Sequence, residues 1–361
     1  MSQLLLKGGF RLTKWVSNNR EVLKSIPDSE KVKDVKDLDL DRQSLPIEGA
    51  LGVRWNVEND TLELKTSLRE KPLTKRGIIS MISSVYDPLG MASPFILPAK
   101  LIFQELCRKK IAWDDPLPSQ EAELWFQWIN DLPKLDMYEI PRCIKPSSFG
   151  NIVSSQLHHF SDASQKGYGA VSYLRLVNSS GKISCAFIIS KARLAPLKTM
   201  TIPRLELYAA TLSVKLDQKI RRELCVQINQ SVFWTDSMLV LQYIKNETKR
   251  FHTFVANRIT TIHNGSTPDQ WRHVSTKYNP ADDVSRGLTA EELIMRKTWV
   301  HGPEFLWLEE NEWPVTAITA GVLDEDPEVK THINIFQANV NESSAVDRLL
   351  KSFSWFRLKS Q

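Results

Sequence analysis

Along this chain the apolar positions fall first into helical spacing, then into strand alternation, then into an exchange between the two. Residues 14–26, KWVSNNREVLKSI, read as a surface helix, and PDSEKVKDVKDLDLDRQSLP after it holds few large apolar residues, so a loop or exposed arm is expected there. In ALGVRWNVENDTLELKTSL, alternation on each side of Asn59-Asp60 predicts a β-hairpin turning near Val57–Thr61. Three helices follow. The first runs from Thr74 to Tyr86 and is stopped by Asp87-Pro88-Leu89-Gly90. The second spans about Pro98 to Lys110, with Arg108, Lys109 and Lys110 at the end where cations suit the helix dipole. The third begins at Ser119, carries Trp125, Trp128 and Ile129 as core residues, and ends at Leu132.

From residue 157 the texture changes. Strands are predicted at Leu157–Phe160, Gly167–Val177 and Lys182–Ser190. A helix from Pro203 to Glu223 then carries Leu205, Ala209, Leu212, Leu216 and Ile220 along one face. The apolar run Ser231–Thr235 is a strand, Ser237–Lys245 and Phe251–Thr261 are helices, Trp271–Ser275 is a last strand and Ala290–Arg296 a last helix. The order β-β-β-α-β-α-α-β-α is a meander followed by crossovers, which predicts an α/β fold: a mixed sheet with flanking helices and 231–235 in its interior, preceded by a smaller, mostly helical module. Tyr168, Tyr173, Phe187, Trp234 and Trp271 read as core. Residues 300–340 have little periodicity and are expected as linker, and SAVDRLLKSFSWFRLKS at the end is a basic amphipathic helix.

Composition narrows the functional classes. The 361 residues are 42% hydrophobic, enough for two or three domains with real cores. A net charge of +5 permits a nucleic-acid partner without demanding one. The four cysteines lie 36 to 42 residues apart with no CxxC pair, against a zinc finger or a disulfide scaffold. No apolar run approaches 18 residues and the start lacks a signal-peptide core, so a soluble, intracellular protein with no membrane partner is expected.

The candidate chemistry lies in acids placed at element ends. Asp162 follows the first strand of the meander, Asp236 follows the apolar strand, Glu206 sits in the first turn of the long helix, and Asp282 and Asp283 come after the last strand. Singly, each could be a turn or helix cap. Together they can converge at one edge of the sheet, and clustered carboxylates need cations. All-oxygen ligation favours Mg²⁺ or Mn²⁺, two ions per site, over zinc. Between 191 and 222, eight basic residues, among them Arg193, Lys198 and Arg204, face two acidic ones, a patch suited to a phosphate backbone. Gln165 and Lys166 are placed to touch a minor groove, Arg286 to neutralise the acids, and His263 and His273 as auxiliary groups, although neither histidine spacing compels a role.

The segments HHFSDASQKGYGAVSYLR, ISKARLAPLKTMTIPRLELYAA, VFWTDSMLVLQYI and WRHVSTKYNPADDVSRG resemble the ribonuclease H region of Bel/Pao-type LTR retrotransposon polyproteins. Upstream, GGFRLTKWVSNN and ALGVRWN resemble the end of their reverse transcriptase, and KRGIISMISSVYDPLGMASPFILPAK the module joining it to the nuclease. The resemblance implies a ribonuclease H-like fold, metal-dependent cutting of the RNA strand of RNA·DNA hybrids, and Asp162, Glu206, Asp236 and Asp282 as metal ligands. Asp283 stands where an apolar residue is usual and is the alternative to Asp282. It further implies 1–70 as the reverse transcriptase remnant, 71–150 as connection module, 151–298 as nuclease, and 299–361 as linker and start of the segment leading to integrase. The implied partners are an RNA·DNA hybrid and the rest of the polyprotein, its polymerase palm and integrase, with no small-molecule cofactor. The implied location is the cytoplasm, in a replication particle with nuclear access. The paired-aspartate palm motif is not in these residues, so no polymerase activity is expected of them. The alternatives are an idle nucleic-acid-binding remnant, an integrase-like transferase, whose glutamate would come later, and an aspartic peptidase, for which only Asp236-Ser237-Met238 approaches the motif.

Overall fold

The computed structural model describes residues 2–316 and 325–330, apart from 37, 42, 51–52, 65 and 67–69. The amphipathic helix expected at the end of the chain lies outside them. The chain begins with short helices α1 (Ser2–Lys7), α2 (Arg20–Ser25) and α3 (Lys33–Lys36). α2 is shorter than its pattern suggested, because the Asn19 side chain accepts from the N–H groups of Glu21 and Val22 and starts the helix there. The charged stretch behind it is no loose arm: Val35 and Leu45 pack with Leu23 and Val57 in a small core of their own.

Strands β1 (Ile47–Ala50), β2 (Val53–Asn56) and β3 (Thr61–Glu63) form the hairpin unit, with Asp60 at φ 55° in the turn. Helices α4 (Lys75–Ser84), α5 (Ser93–Arg108) and α6 (Ser119–Asp131) come next, then β4 (Glu139–Pro141), which returns to pair with β3. α5 starts five residues before its expected position. Pro98, read from the sequence as its first residue, is therefore inside the helix.

The second sheet contains β5 (Ile152–Ala163), β6 (Gly167–Asn178), β7 (Ile183–Leu194), β8 (Gln230–Thr235) and β9 (Trp271–His273) in the order β7-β6-β5-β8-β9. The meander is antiparallel, and β8 and β9 add parallel to β5 and to each other. β5 is buried from Ser155 to Ala163 because helices cover both faces. On one face lie α7 (Ile202–Glu223), α8 (Met238–Lys245) and α9 (Thr253–His263). On the other lie α10 (Ala281–Arg286), α11 (Ala290–Met295) and α12 (Lys297–His301), together with α4, α5 and α6, in one continuous core that includes Phe160, Trp234 and Trp299. The helical module therefore shares its interior with the sheet.

Two sequence expectations change here. α10 is a helix where no element is predicted between the last strand and Ala290, and Ser285-Arg286-Gly287, which reads as a helix entry or turn, is instead its end, with Gly287 at φ 90°. Residues 304–313, expected as linker, fold as two short 3₁₀ turns onto the sheet. Buried Arg175 donates to the carbonyls of Leu306 and Leu308, and Trp313 packs edge-on against His158 and Trp234. The predicted strands and the interior position of 231–235 match the structure, which is an α/β fold with a mixed sheet and flanking helices.

Candidate active site

Asp162 and Asp236 sit at the same end of two neighbouring parallel strands. β5 and β8 pair in register up to Ser161 opposite Thr235, so the next residue on each strand is an aspartate. Asp162 is the second-last residue of β5 and is buried, whereas Asp236 follows β8 and is half-buried. Neither is a helix cap. The α8 cap is Ser237, whose hydroxyl accepts from the Val240 N–H.

Glu206 comes from α7, a full turn in rather than in the first turn, because the helix begins at Ile202. Its side chain accepts from the Ser237 hydroxyl, which places it beside the end of β8. Asp282 and Asp283 lie on α10, about 100° apart around the helix, and so face different surroundings. Arg286 donates to Asp282 at 2.5 Å, and Asp283 faces Arg296 at 3.4 Å. Both line a pocket of about 540 Å³ with Lys277, Tyr278 and Arg296.

Position 169 explains how α10 reaches the end of β5. Gly169 is the cross-strand partner of Asp162, and a Cβ there would stand 2.3 Å from Cγ1 of Val284 and 2.7 Å from the Lys191 carbonyl. The missing side chain lets α10 lie directly on the sheet. This close approach brings Ser285 to Asp162, to which its hydroxyl donates.

Burial, then the negative charge of Asp236 and that of Asp282, raise the Asp162 carboxyl to about 7 against a donated bond from Ser285 that favours ionisation. Burial and the charge of Asp236 likewise raise Glu206. Burial raises Asp283 to about 6, opposed by Arg296, and the neighbouring charges it senses are Asp282 and Glu292. Charge thus links Asp162 with Asp236 and Asp282, and Glu206 with Asp236, whereas Asp283 is coupled to Asp282 and Glu292 and not directly to the acids at the strand ends. Among the described residues no three acidic, imidazole or thiol side chains stand close enough to hold one ion as they are. The donor set is nevertheless all carboxylate oxygen, and its mutual repulsion is relieved by a hard divalent cation, so its chemistry fits Mg²⁺ or Mn²⁺.

The other candidates divide clearly. Gln165, Lys166, Arg193 and Lys198 are exposed on the loop after β5 and around the end of β7. Arg204 is not free: it makes a two-pronged pair with Glu328 at 2.6 and 3.1 Å and lies over the Phe254 ring. His263 bonds the Ile244 carbonyl at 2.8 Å, which ties α9 to α8 away from the acids. His273 contacts the Thr316 hydroxyl at 3.0 Å. Arg286 stands at the rim, its charge reinforced by Asp282, then by Asp162 and Asp236. A larger groove of about 930 Å³ runs between α5, α6 and residues 286–292, and of the candidates only Lys166 and Arg286 border it.

Sequence reasoning missed the hydroxyl partners. Ser285 holds Asp162, Ser237 holds Glu206, and Thr276 donates to Asp236 at 2.6 Å. The only sequence signal was adjacency, in TDS and DDVSR, and adjacency does not tell which carboxylate a hydroxyl reaches.

Residues 74–237 match the model of a family described as Pao retrotransposon-like RNaseH-like domain. Over that span, just under half of the chain, the sequence is similar to a Pao retrotransposon-like domain. The matched span takes in the helical module as well as the strands, includes Asp162, Glu206 and Asp236, and ends before α10. No curated protein matches the chain. Solved structures similar to it include the N-terminal RNase H domain of rv2228c from Mycobacterium tuberculosis, at 12% identity and TM-score 0.26, covering 37% of this chain and 91% of that one. RNase H1 from Halobacterium salinarum NRC-1 gives 13% and 0.23, covering 40% and 98%. LC11-RNase H1, solved in complex with an RNA/DNA hybrid, gives 13% and 0.24, covering 39% and 99%.

Proposed function

We propose that this Pao-like domain hydrolyses the RNA strand of RNA·DNA hybrids with the help of divalent metal ions, as part of a retrotransposon polyprotein acting in reverse transcription. The observation that carries this reading is the pair Asp162 and Asp236 at adjoining strand ends, with Asp282 bearing electrostatically on Asp162. Asp162, Glu206, Asp236 and Asp282 would hold two Mg²⁺ or Mn²⁺ ions. When bound, such ions supply the positive charge that activates water and stabilises the leaving 3′ oxygen of a phosphodiester.

The chain's own residues do the rest. Ser237, Thr276 and Ser285 each hold one carboxylate by donating a hydrogen bond to it. Exposed Arg193, Lys198, Gln165 and Lys166 would take the backbone of the hybrid, whose recognition rests on shape and the RNA 2′-OH rather than on base sequence. The polymerase palm and integrase of the same polyprotein are the proposed partners, in a cytoplasmic replication particle. Ser237 caps a helix and holds Glu206, an arrangement that gives no support to a peptidase aspartate at 236.

The test is cleavage of a hybrid labelled on its RNA strand, with Mg²⁺, by the wild-type chain and by Asp236→Asn. RNA-strand cutting that stops in the variant and on chelation supports the reading. A folded wild-type chain that binds the hybrid and never cuts it points instead to an idle binding remnant.

A further inference from the structure

Ser285 is fully buried in the last turn of α10, and its two hydrogen bonds and one further polar contact join the two segments bearing acids. Its hydroxyl donates to Oδ2 of Asp162 and lies 3.1 Å from the Asp282 carbonyl, and its own carbonyl accepts from the Ser164 hydroxyl at 2.7 Å. The end of β5 and the N-terminal turn of α10 are thus joined through one side chain. We propose that Ser285 is the positioning residue for Asp162: its hydroxyl sets the rotation of that carboxylate, so that Oδ1 is presented for metal binding. This inference rests on the metal-dependent reading of the site given above.

The argument is geometric. Asp162 is the most buried of the four carboxylates proposed as ligands, and the Ser285 hydroxyl is its side-chain hydrogen-bond donor among the described residues. The Ala163 N–H also bonds this carboxylate from its own strand, but the Ser285 hydroxyl is the bond that ties it to α10, and the carboxylate cannot swing its plane without losing it. The hydroxyl is itself held in place, because α10 is seated by Val284 in the gap at Gly169 and is tied at its far end to α5, where the Leu288 N–H donates to the Pro94 carbonyl. The docked helical module thereby governs the aim of a metal ligand it does not touch.

The test uses the full chain and the metal alone. Mn²⁺ binding is followed by electron paramagnetic resonance for the wild type, Ser285→Ala and Ser285→Thr, with thermal unfolding measured alongside. Removing a group that orients a ligand costs about 10- to 100-fold in metal affinity. The expected result is that loss for Ser285→Ala, with cleavage recovering as Mn²⁺ is raised, and affinity close to wild type for Ser285→Thr. Where Ser285→Ala does not fold, Ser285→Cys fills the same space with a poor donor and carries the same expectation. Wild-type Mn²⁺ affinity in the Ala or Cys chain overturns the role of Ser285 alone. A wild-type chain that binds no Mn²⁺ overturns the metal-dependent reading beneath it.

Discussion

The backbone N–H of Leu288 donates to the carbonyl of Pro94 at 3.1 Å. That carbonyl is the one Pro98 would have bonded inside α5, had it an N–H to give. A proline within a helix normally costs its own ladder, but here the vacancy is filled from another element, and Gly287 makes room for the approach. A Cβ at 287 would stand 2.8 Å from Cγ of Pro98, at a φ of +90°. Gly287→Ala is therefore expected to lose about 1–3 kcal/mol and to unseat α10. The measurement is denaturant unfolding of the full chain, with hybrid cleavage at a temperature where the variant stays folded. A variant of wild-type stability would mean the junction of α5 and α10 is loose.

Asp282 and Asp283 separate by substitution. Asp282→Asn should abolish cleavage, and Asp283→Asn should leave it within a few fold, because Asp283 pairs with Arg296 and is not among the charges that act on Asp162 or Glu206. The same variant has a pH signature. Burial raises Asp283 from 3.8 to about 6, so the stability of its neutral form is fully present below 3.8 and is lost as pH rises through about 6. Between those limits the wild type should lose on the order of 1–3 kcal/mol that Asp283→Asn keeps. Parallel pH curves for the two proteins would refute the assignment.

Much of this was legible in the sequence, and the illegible parts have physical reasons in common. The meander and the apolar strand 231–235 announce themselves because two-residue alternation and full burial leave strong patterns, and the acids at 162 and 236 follow from strand ends. α10 was hidden because NPADDVSRG has the punctuation of a loop and only six helical residues. Its stability comes from Val284 fitting against Gly169, a tertiary contact that no periodicity encodes. Pro98 misplaced the start of α5 for the same reason, since its missing donor is supplied from 190 residues further along the chain. The turns over 304–313 depend on Arg175 and on tryptophan packing, again without a repeat to read.

Asp217, on α7 three turns beyond Glu206, holds a buried network away from the acids. His159 sits between the Ser172 hydroxyl at 2.8 Å and Asp217 at 3.1 Å, and Ser231 and Arg221 also bond Asp217. Burial pushes its carboxyl up, but the His159 bond and charge, with Ser231 and Arg221, outweigh burial and leave it below 3.8. A lowered carboxyl contributes stability above 3.8, which is lost as pH falls through its folded value. Asp217→Ala should cost about 3–5 kcal/mol near neutrality by stranding its partners. Its melting temperature should also fall less steeply than that of wild type from about pH 5 to about pH 3. If the two proteins melt alike at pH 7, the network contributes nothing.

The basic residues should separate by salt dependence. Exposed Arg193 and Lys198 have no acidic partner among the described ion pairs, whereas Arg204 is bound to Glu328. A cation that meets a phosphate releases counterions on binding, and each such contact adds about 0.9 to the slope of log affinity against log salt for a duplex. Arg193→Ala with Lys198→Ala should therefore weaken hybrid binding and flatten that slope by nearly two, while kcat at saturating hybrid stays close to wild type. Arg204→Ala should instead leave the slope unchanged and lower stability, because what it loses is the tie between α7 and residues 325–330. A flattened slope in Arg204→Ala would mean that Arg204 leaves Glu328 when the hybrid arrives, and the substrate face would then extend along α7.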